Sequence, residues 1–406
     1  MIQLYKMAFR NLGRNRRRSF FSALALGIGV ALLLLIAAFV QGELDGSLNS
    51  AIKLQSGNLQ VRAKSYDEAK TSLAFQDLIE NPDQVAAQIA ALSPVLVATP
   101  RLFANGIVTI RDQSLGVRII GIEPSSPANA PFKDGLVSGT FLTADDAGGI
   151  LIGQSLANKA GIQTGDQVNL LVNTSNGDVD QQAFTIRGVY TTHTPGIDNS
   201  YVFLPLAKAQ VFSKAVNHAS AIFVLLKDKA DTSAVVTALQ SSSYQVLTFD
   251  DMNPLLVYID QFYNAIMGLI YLTVLAITAT VIVNTLIMSV FERTREIGIL
   301  SAIGMKSGSI MGLFFAESSL LAVGGILIGW VLGAILVAYF TIAGFSLADF
   351  GVSGILLGDR IYAHLTIEAT VTLTVLAFVV TLLAGLYPAR LAAVMEPVTA
   401  LRSGGK

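Results

Sequence analysis

The sequence predicts a membrane α-helical protein, with four transmembrane helices and a large α+β extracytoplasmic domain inserted between helices 1 and 2. Three observations predict it. A mean hydropathy of +0.59 with 14% charged residues is too apolar for a soluble chain and too polar for one made only of membrane helices. Four apolar runs, Phe20 to Val40, Tyr263 to Val290, Ile310 to Phe340 and Ala369 to Leu386, are long enough to cross about 30 Å of hydrocarbon, which takes about 20 helical residues. Between the first two runs, strand-like and helix-like patterns alternate.

Residues 1–19 open the chain as a cytoplasmic interfacial helix. Tyr5, Ala8, Phe9 and Leu12 form a helical stripe opposite Lys6, Arg10 and Arg14, the pattern of a helix lying in the headgroup region. Transmembrane helix 1, residues 20–40, follows. Its apolar run exceeds the core of a signal peptide, and no small-residue cleavage site precedes an obvious mature start, so an uncleaved anchor is expected. Ala23, Gly27 and Ala31 give it a smooth side.

Residues 41–261 form the extracytoplasmic domain. Strands are expected at Asn58 to Arg62, Val95 to Thr99, Phe103 to Arg111, Val117 to Ile122, Gln167 to Val172, Ala183 to Tyr190, Tyr201 to Leu204, Ala221 to Leu226 and Gln245 to Phe249. Helices are expected at Asp83 to Leu92, Gln154 to Ala160, Leu206 to Phe212 and Thr232 to Gln240. Gly165 and Asp166 suit a tight turn. The Pro- and Gly-bearing stretch from Glu123 to Gly139 is expected as a connector between two lobes, with strands from both ends of the domain building one of them. The chain has no cysteine, so this domain must rest on an ordinary core, for which about 220 residues suffice.

Residues 262–402 hold transmembrane helices 2–4 and, at 291–305, a charged cytoplasmic helix between two apolar runs. There the second span is expected to continue into a short surface helix on which Ile297, Leu300 and Gly304 share one face and Arg295 points away. In the third span, Gly325, Gly329 and Gly333 recur at four-residue steps, a ridge that lets another helix approach closely. Glu317 lies in the same run, where an ionisable residue is costly without a partner; a pair with a basic residue of the 291–305 region is expected. Asn284, Thr285 and Ser289 in the second span suit hydrogen bonds between helices.

Orientation follows from the basic residues, which accumulate on the cytoplasmic side. Lys6, Arg10, Arg14, Arg16, Arg17 and Arg18 precede the first span, Arg293, Arg295 and Lys306 lie between the second and third, and Arg390, Arg402 and Lys406 follow the fourth. Both termini are therefore expected in the cytoplasm. The net charge of -1 gives no reason to expect nucleic acid, and topology explains the basic cluster.

The sequence gives no sign of an enzyme. It contains no phosphate-binding loop, so this chain is expected to bind no cofactor, and any ATP and Mg belong to a partner. His193, His218 and His364 lack metal-ligand spacing, no metal site is expected, and no nucleophile motif occurs, so no catalytic residues are expected. Asp145-Asp146 and Asp250-Asp251 are read as solvated loop residues.

The segment Glu292-Arg293-Thr294-Arg295-Glu296-Ile297-Gly298, with Ala302 and Gly304 after it, resembles the ATPase-coupling segment of ABC permeases in the MacB, LolC/LolE and FtsX superfamily. Phe9-Arg10-Asn11-Leu12 with Arg14 to Arg18, the Glu317, Gly325, Gly329, Gly333 series, and Tyr387-Pro388-Ala389-Arg390 with Ala392, Pro397, Ala400, Leu401 and Arg402 extend the likeness. Gln55 to Val61 resembles the opening strand of the LolE-like branch, and Gly153 to Val168 a piece of MacB-type and LolC-type outer domains. Ser301 departs from the pattern, standing where many relatives carry Lys or Arg. The resemblance implies a non-catalytic permease subunit of the bacterial inner membrane, contacting a cytoplasmic ABC ATPase in two copies through Glu292, Arg293, Arg295, Glu296, Ile297, Gly298, Ala302 and Gly304. It also implies a second permease subunit in a homodimer or heterodimer, surrounding membrane lipid, and a periplasmic carrier or adaptor. Of the activities it implies, release of lipoproteins or other hydrophobic cargo is expected first, with FtsX-like regulation of a cell-wall hydrolase without transport and MacB-like efflux of toxins or drugs as the alternatives.

Overall fold

The computed structural model describes residues 2–14, 16–110, 113–239, 244–346 and 360–396. Arg111 and Gln240, expected to end a strand and a helix, lie outside the described residues, as do Pro397, Ala400, Leu401, Arg402 and Lys406. The described chain forms two compact units, one of residues 2–44, 260–346 and 360–396, the other of residues 45–259.

The main helices are α1 (Ile2–Arg14), α2 (Arg16–Ala51), α3 (Pro254–Glu292), α4 (Thr294–Ala302), α5 (Ser307–Ala343) and α6 (Ile367–Ala393). Among the described residues α2, α3, α5 and α6 are long and apolar enough to cross a membrane. They outrun the apolar runs that announce them. The 36 residues of α2 reach about 54 Å, beyond the roughly 30 Å of hydrocarbon, because Gln41 to Ala51 are polar but still compatible with a helix. Hydropathy marks the lipid boundary, not the helix end.

The first unit is held by close packing of α5 on α2. A Cβ added to Gly325 would stand 2.6 Å from Leu26 Cδ2, one on Gly329 2.6 Å from Val30 Cβ, and one on Gly333 3.0 Å from Leu34 Cδ1. Leu26, Val30, Leu33 and Leu34 fill the notches beside this ridge and are buried with Leu275, Ile282, Leu286, Leu373 and Ala377 of α3 and α6. Lipid is as apolar as leucine, so such contact and hydroxyl bonds replace the hydrophobic effect as glue. Ser22 meets Thr285 at 3.0 Å, and Trp330 Nε1 donates to Thr374 Oγ1 at 2.9 Å. Helix α1 lays Ala8 against Leu313 and Ala316 and leaves Tyr5 and Phe9 exposed.

The second unit is built on one ten-stranded sheet. Its strands are β1 (Leu59–Ala63), β2 (Val95–Ile110), β3 (Gln113–Ile122), β4 (Leu136–Gly139), β5 (Gly149–Gly153), β6 (Gln167–Asn173), β7 (Val179–Tyr190), β8 (Tyr201–Pro205), β9 (Ala221–Leu226) and β10 (Tyr244–Thr248). They run β10-β1-β9-β2-β3-β8-β5-β7-β4, with β6 paired to β2 and β7. Strands from both ends of the segment do gather at one edge, but the expected two lobes are one continuous sheet. The reason is β2, read from sequence as two strands split at Pro100. It pairs with β9 through Val95–Arg101 and with β3 through Arg101–Ile110. Pro100 falls just before β3 comes into register, where a missing amide proton costs least.

Two strands of this sheet are not expected from the sequence. Gly149-Ile150-Leu151-Ile152-Gly153 is buried throughout, and a run apolar on both faces has no alternation to betray it. Leu136–Gly139, inside the expected connector, pairs with β7. Gly165 does turn, with φ +94°. The aspartate pairs are not simply solvated. Asp146 accepts from Arg187 Nε at 2.7 Å and Nη2 at 3.0 Å, and these hydrogen bonds hold its carboxyl below the usual range. Asp251 closes a capping box with Thr248 on a short helix, Phe249–Met252.

Candidate coupling site

Helix α3 stops at Glu292 because Arg293 leaves helical geometry, with φ −111° and ψ 15°. The second span and the surface helix are therefore two helices and not one continuous one. The break turns the Arg293 side chain inward. Its Nη1 donates to Glu317 Oε1 at 2.9 Å and its Nη2 to the Asn11 carbonyl at 2.9 Å, while Asn11 Nδ2 donates to the same Glu317 oxygen at 2.8 Å. Arg293 is 5% exposed and Glu317 1%. This triad ties together α1, the α3–α4 break and α5. Burying two charges is tolerable here because each is paired and hydrogen-bonded.

Helix α4 has two faces. Inward, Ile297 packs with Val290, Ile310, Phe314, Ala389 and Ala392, and Gly298 is also buried. Arg293, Ile297 and Gly298, all expected to contact the ATPase, are buried in this chain. Gly304, expected on the same face as Ile297, lies past the helix end with φ +96°. Met305 N donates to Leu300 O at 3.0 Å and Gly304 N to Ser301 O at 3.1 Å, the Schellman closure that a left-handed glycine permits. Gly304 ends the helix and fixes its length.

Outward lie Glu292, Arg295, Glu296, Ile299, Ala302 and Ile303. Glu296 is paired with Arg14 and Glu292 with Arg18, so the two acidic residues clasp the basic end of α1 and the start of α2. Arg295 continues into an apolar strip in which Ile299 is 47% and Ile303 75% exposed. The sequence reading missed both isoleucines. Their signal was present: positions 295, 299, 302 and 303 repeat at helical spacing on the side opposite Ile297. Between α1, α4 and α5 a groove of ≈ 300 Å³ opens, lined by Met7, Ile299, Leu300, Leu313 and Phe314 among others. A charged residue beside exposed isoleucines on a short, stiffly supported helix is suited to receiving another protein.

Residues 19–242 match the MacB-like periplasmic core domain and residues 268–397 the FtsX-like permease C-terminal domain. Among relatives, the lipoprotein-releasing system transmembrane protein LolE of Haemophilus influenzae is 25% identical over 94% of this chain and 94% of its own length. The corresponding LolC of Neisseria meningitidis serogroup B is 23% identical over 76% of this chain and 78% of its own. The macrolide export ATP-binding/permease protein MacB of Rhodospirillum rubrum is 28% identical over 98% of this chain, which spans 59% of that protein.

Proposed function

The chain belongs to the permease superfamily of MacB, LolC/LolE and FtsX, and from that premise we propose that it is an inner-membrane subunit that turns ATP hydrolysis by a separate ATPase into motion of its outer domain. The outward strip of Arg295, Ile299 and Ile303 carries this reading. ATP binding draws two such strips together in a permease dimer. The motion passes through the Arg293–Glu317 pair to α5 and through α3 to the domain at 41–261, which the reading places outside the membrane, between the first and second spans. The cargo class favoured is lipoproteins or other hydrophobic molecules. The likeness to LolE over 94% of both chains supports it.

Two experiments test the reading. In this cysteine-free chain, cysteines placed singly at Gln181 and Ser307 should report opposite sides of the membrane. The first is expected to react with an impermeant reagent from outside and the second only after permeabilisation; reaction of both from outside rejects the four-span topology. Ile303→Glu puts a charge into a strip that the ATPase would desolvate. It is expected to weaken assembly with the ATPase by tenfold or more, a loss on the order of 2 kcal/mol, without lowering the melting temperature of the permease. Unchanged assembly removes the strip from the interface.

A further inference from the structure

One face of the sheet in the second unit carries a row of charge far from the coupling helix in sequence. Ala221 stands opposite Arg101, Gln60 opposite Phe223, and Arg118 between Asn105 and Tyr201. Directly opposed residues share a face, so β1, β2 and β3 each contribute an arginine to this side, with Arg62 adjoining Gln60. A cleft of ≈ 360 Å³ opens there, with Gln60, Arg62, Glu68, Arg118, Tyr201 and Asp251 among its polar lining and Phe103, Ile120, Leu247 and Met252 among its apolar wall.

Within the cleft Arg62 and Arg118 stand with Glu68 and Asp251, and Arg101 adds a third cation on the same face of the sheet. Glu68, on the loop after β1, pairs with Arg62 and also with Arg118 Nη2 at 3.0 Å. Arg62 is nine-tenths buried, its Nε and Nη2 held by Gln60 Oε1 at 2.9 and 2.7 Å. The other carboxylate at the cleft, Asp251, is engaged by the Thr248 amide and hydroxyl. Arg101, two residues from Phe103 on the same face, is 1% exposed, and its three guanidinium nitrogens make no hydrogen bond among the described residues. Its Cζ sits 3.6 Å from the Phe223 ring centre. Burial lowers the Arg101 pKa to about 9, which still leaves it a cation at neutral pH. Burial also works to raise Glu68, but Arg62 and Arg118 hold its carboxyl below the usual range.

A buried guanidinium N–H without a partner is expensive; Arg118 Nε, at the cleft, makes no hydrogen bond among the described residues, and an arriving anion offsets that cost. We propose that this cleft binds an oxyanion borne on an apolar body: its phosphate or carboxylate takes the place of the Glu68 carboxylate at Arg62 and Arg118, and its apolar part rests on Phe103, Ile120 and Leu247. Planar guanidinium forks match such oxyanions in geometry as well as charge. Glu68, half exposed on an irregular loop, acts as a built-in competitor. The inference rests on the second unit alone and is independent of the coupling reading.

The test uses the full chain in a neutral detergent, titrated with dihexanoyl phosphatidylglycerol and, separately, with inorganic phosphate. Saturable binding of the lipid is expected. Arg118→Gln should weaken it about tenfold, the loss of one charge-assisted contact, and Glu68→Gln should tighten it severalfold by removing the competitor. Inorganic phosphate that displaces the lipid at similar concentration identifies the free ion as a ligand of the same site. Displacement only by the lipid makes the headgroup the source. Failure of both probes to saturate, or a Glu68→Gln variant that binds more weakly than the parent, overturns the proposal.

Discussion

Arg293→Met is expected to destabilise the membrane unit by about 3–5 kcal/mol, the usual cost of stripping one partner from a buried ion pair. Glu317 would then keep only the Asn11 amide, in a site from which water is excluded. The double variant Arg293→Met, Glu317→Leu removes both charges and should recover most of the loss, because well-packed apolar groups often replace a buried pair at little cost. Thermal unfolding in detergent reads both results. A single variant as stable as the parent would show that the pair does not secure the α3–α4 break. The double variant separates two roles: if stability returns while ATP-driven work does not, the pair serves transmission as well as folding.

Gly329→Leu is expected to cost on the order of 3 kcal/mol, the upper range for overpacking a tight interior. A Cβ there would already stand 2.6 Å from Val30 Cβ and 2.8 Å from the Gly27 carbonyl oxygen, so α5 and α2 must separate along the whole ridge. Leu327→Ala, at an exposed position two residues away, should change stability by less than about 0.5 kcal/mol. The ridge is satisfied within the chain, so the oligomeric state by size exclusion should not change. Equal melting temperatures for the two variants would contradict the close packing.

What could be read from the sequence, and what could not, follows from the range of the forces involved. Four spans are legible because twenty consecutive apolar residues have few other uses. The glycine ridge is legible because four-residue spacing fixes a helical face before any partner is known. The inner and outer faces of the coupling helix were not. One non-helical residue, Arg293, breaks the helix and turns its own side chain inward, and the helix ends before Gly304, so a periodicity carried through both ends assigns Arg293 and Gly304 to the wrong surfaces. Glu317 announced that it needed a basic partner, yet Arg293, Arg295 and Lys306 were equivalent candidates until the break turned one of them inward. The arginines of the cleft in the second unit were invisible for a different reason. Arg62 lies on β1, far in sequence from the β2–β3 hairpin that carries Arg101 and Arg118, and only the register of β9 between β1 and β2 brings it to their side.

The claim that the chain transmits force from the coupling helix to the outer domain is tested most directly by distance. A spin label at Gln181, in the permease dimer assembled with its ATPase in lipid, reports the separation of the two outer domains by pulsed electron resonance. The account predicts distinct distance distributions in the ADP and ATP-trapped states, and collapse to one distribution in an Ile303→Glu assembly driven to form at high ATPase concentration. A single distribution in both nucleotide states of the parent complex, with ATP hydrolysis proceeding normally, would contradict it.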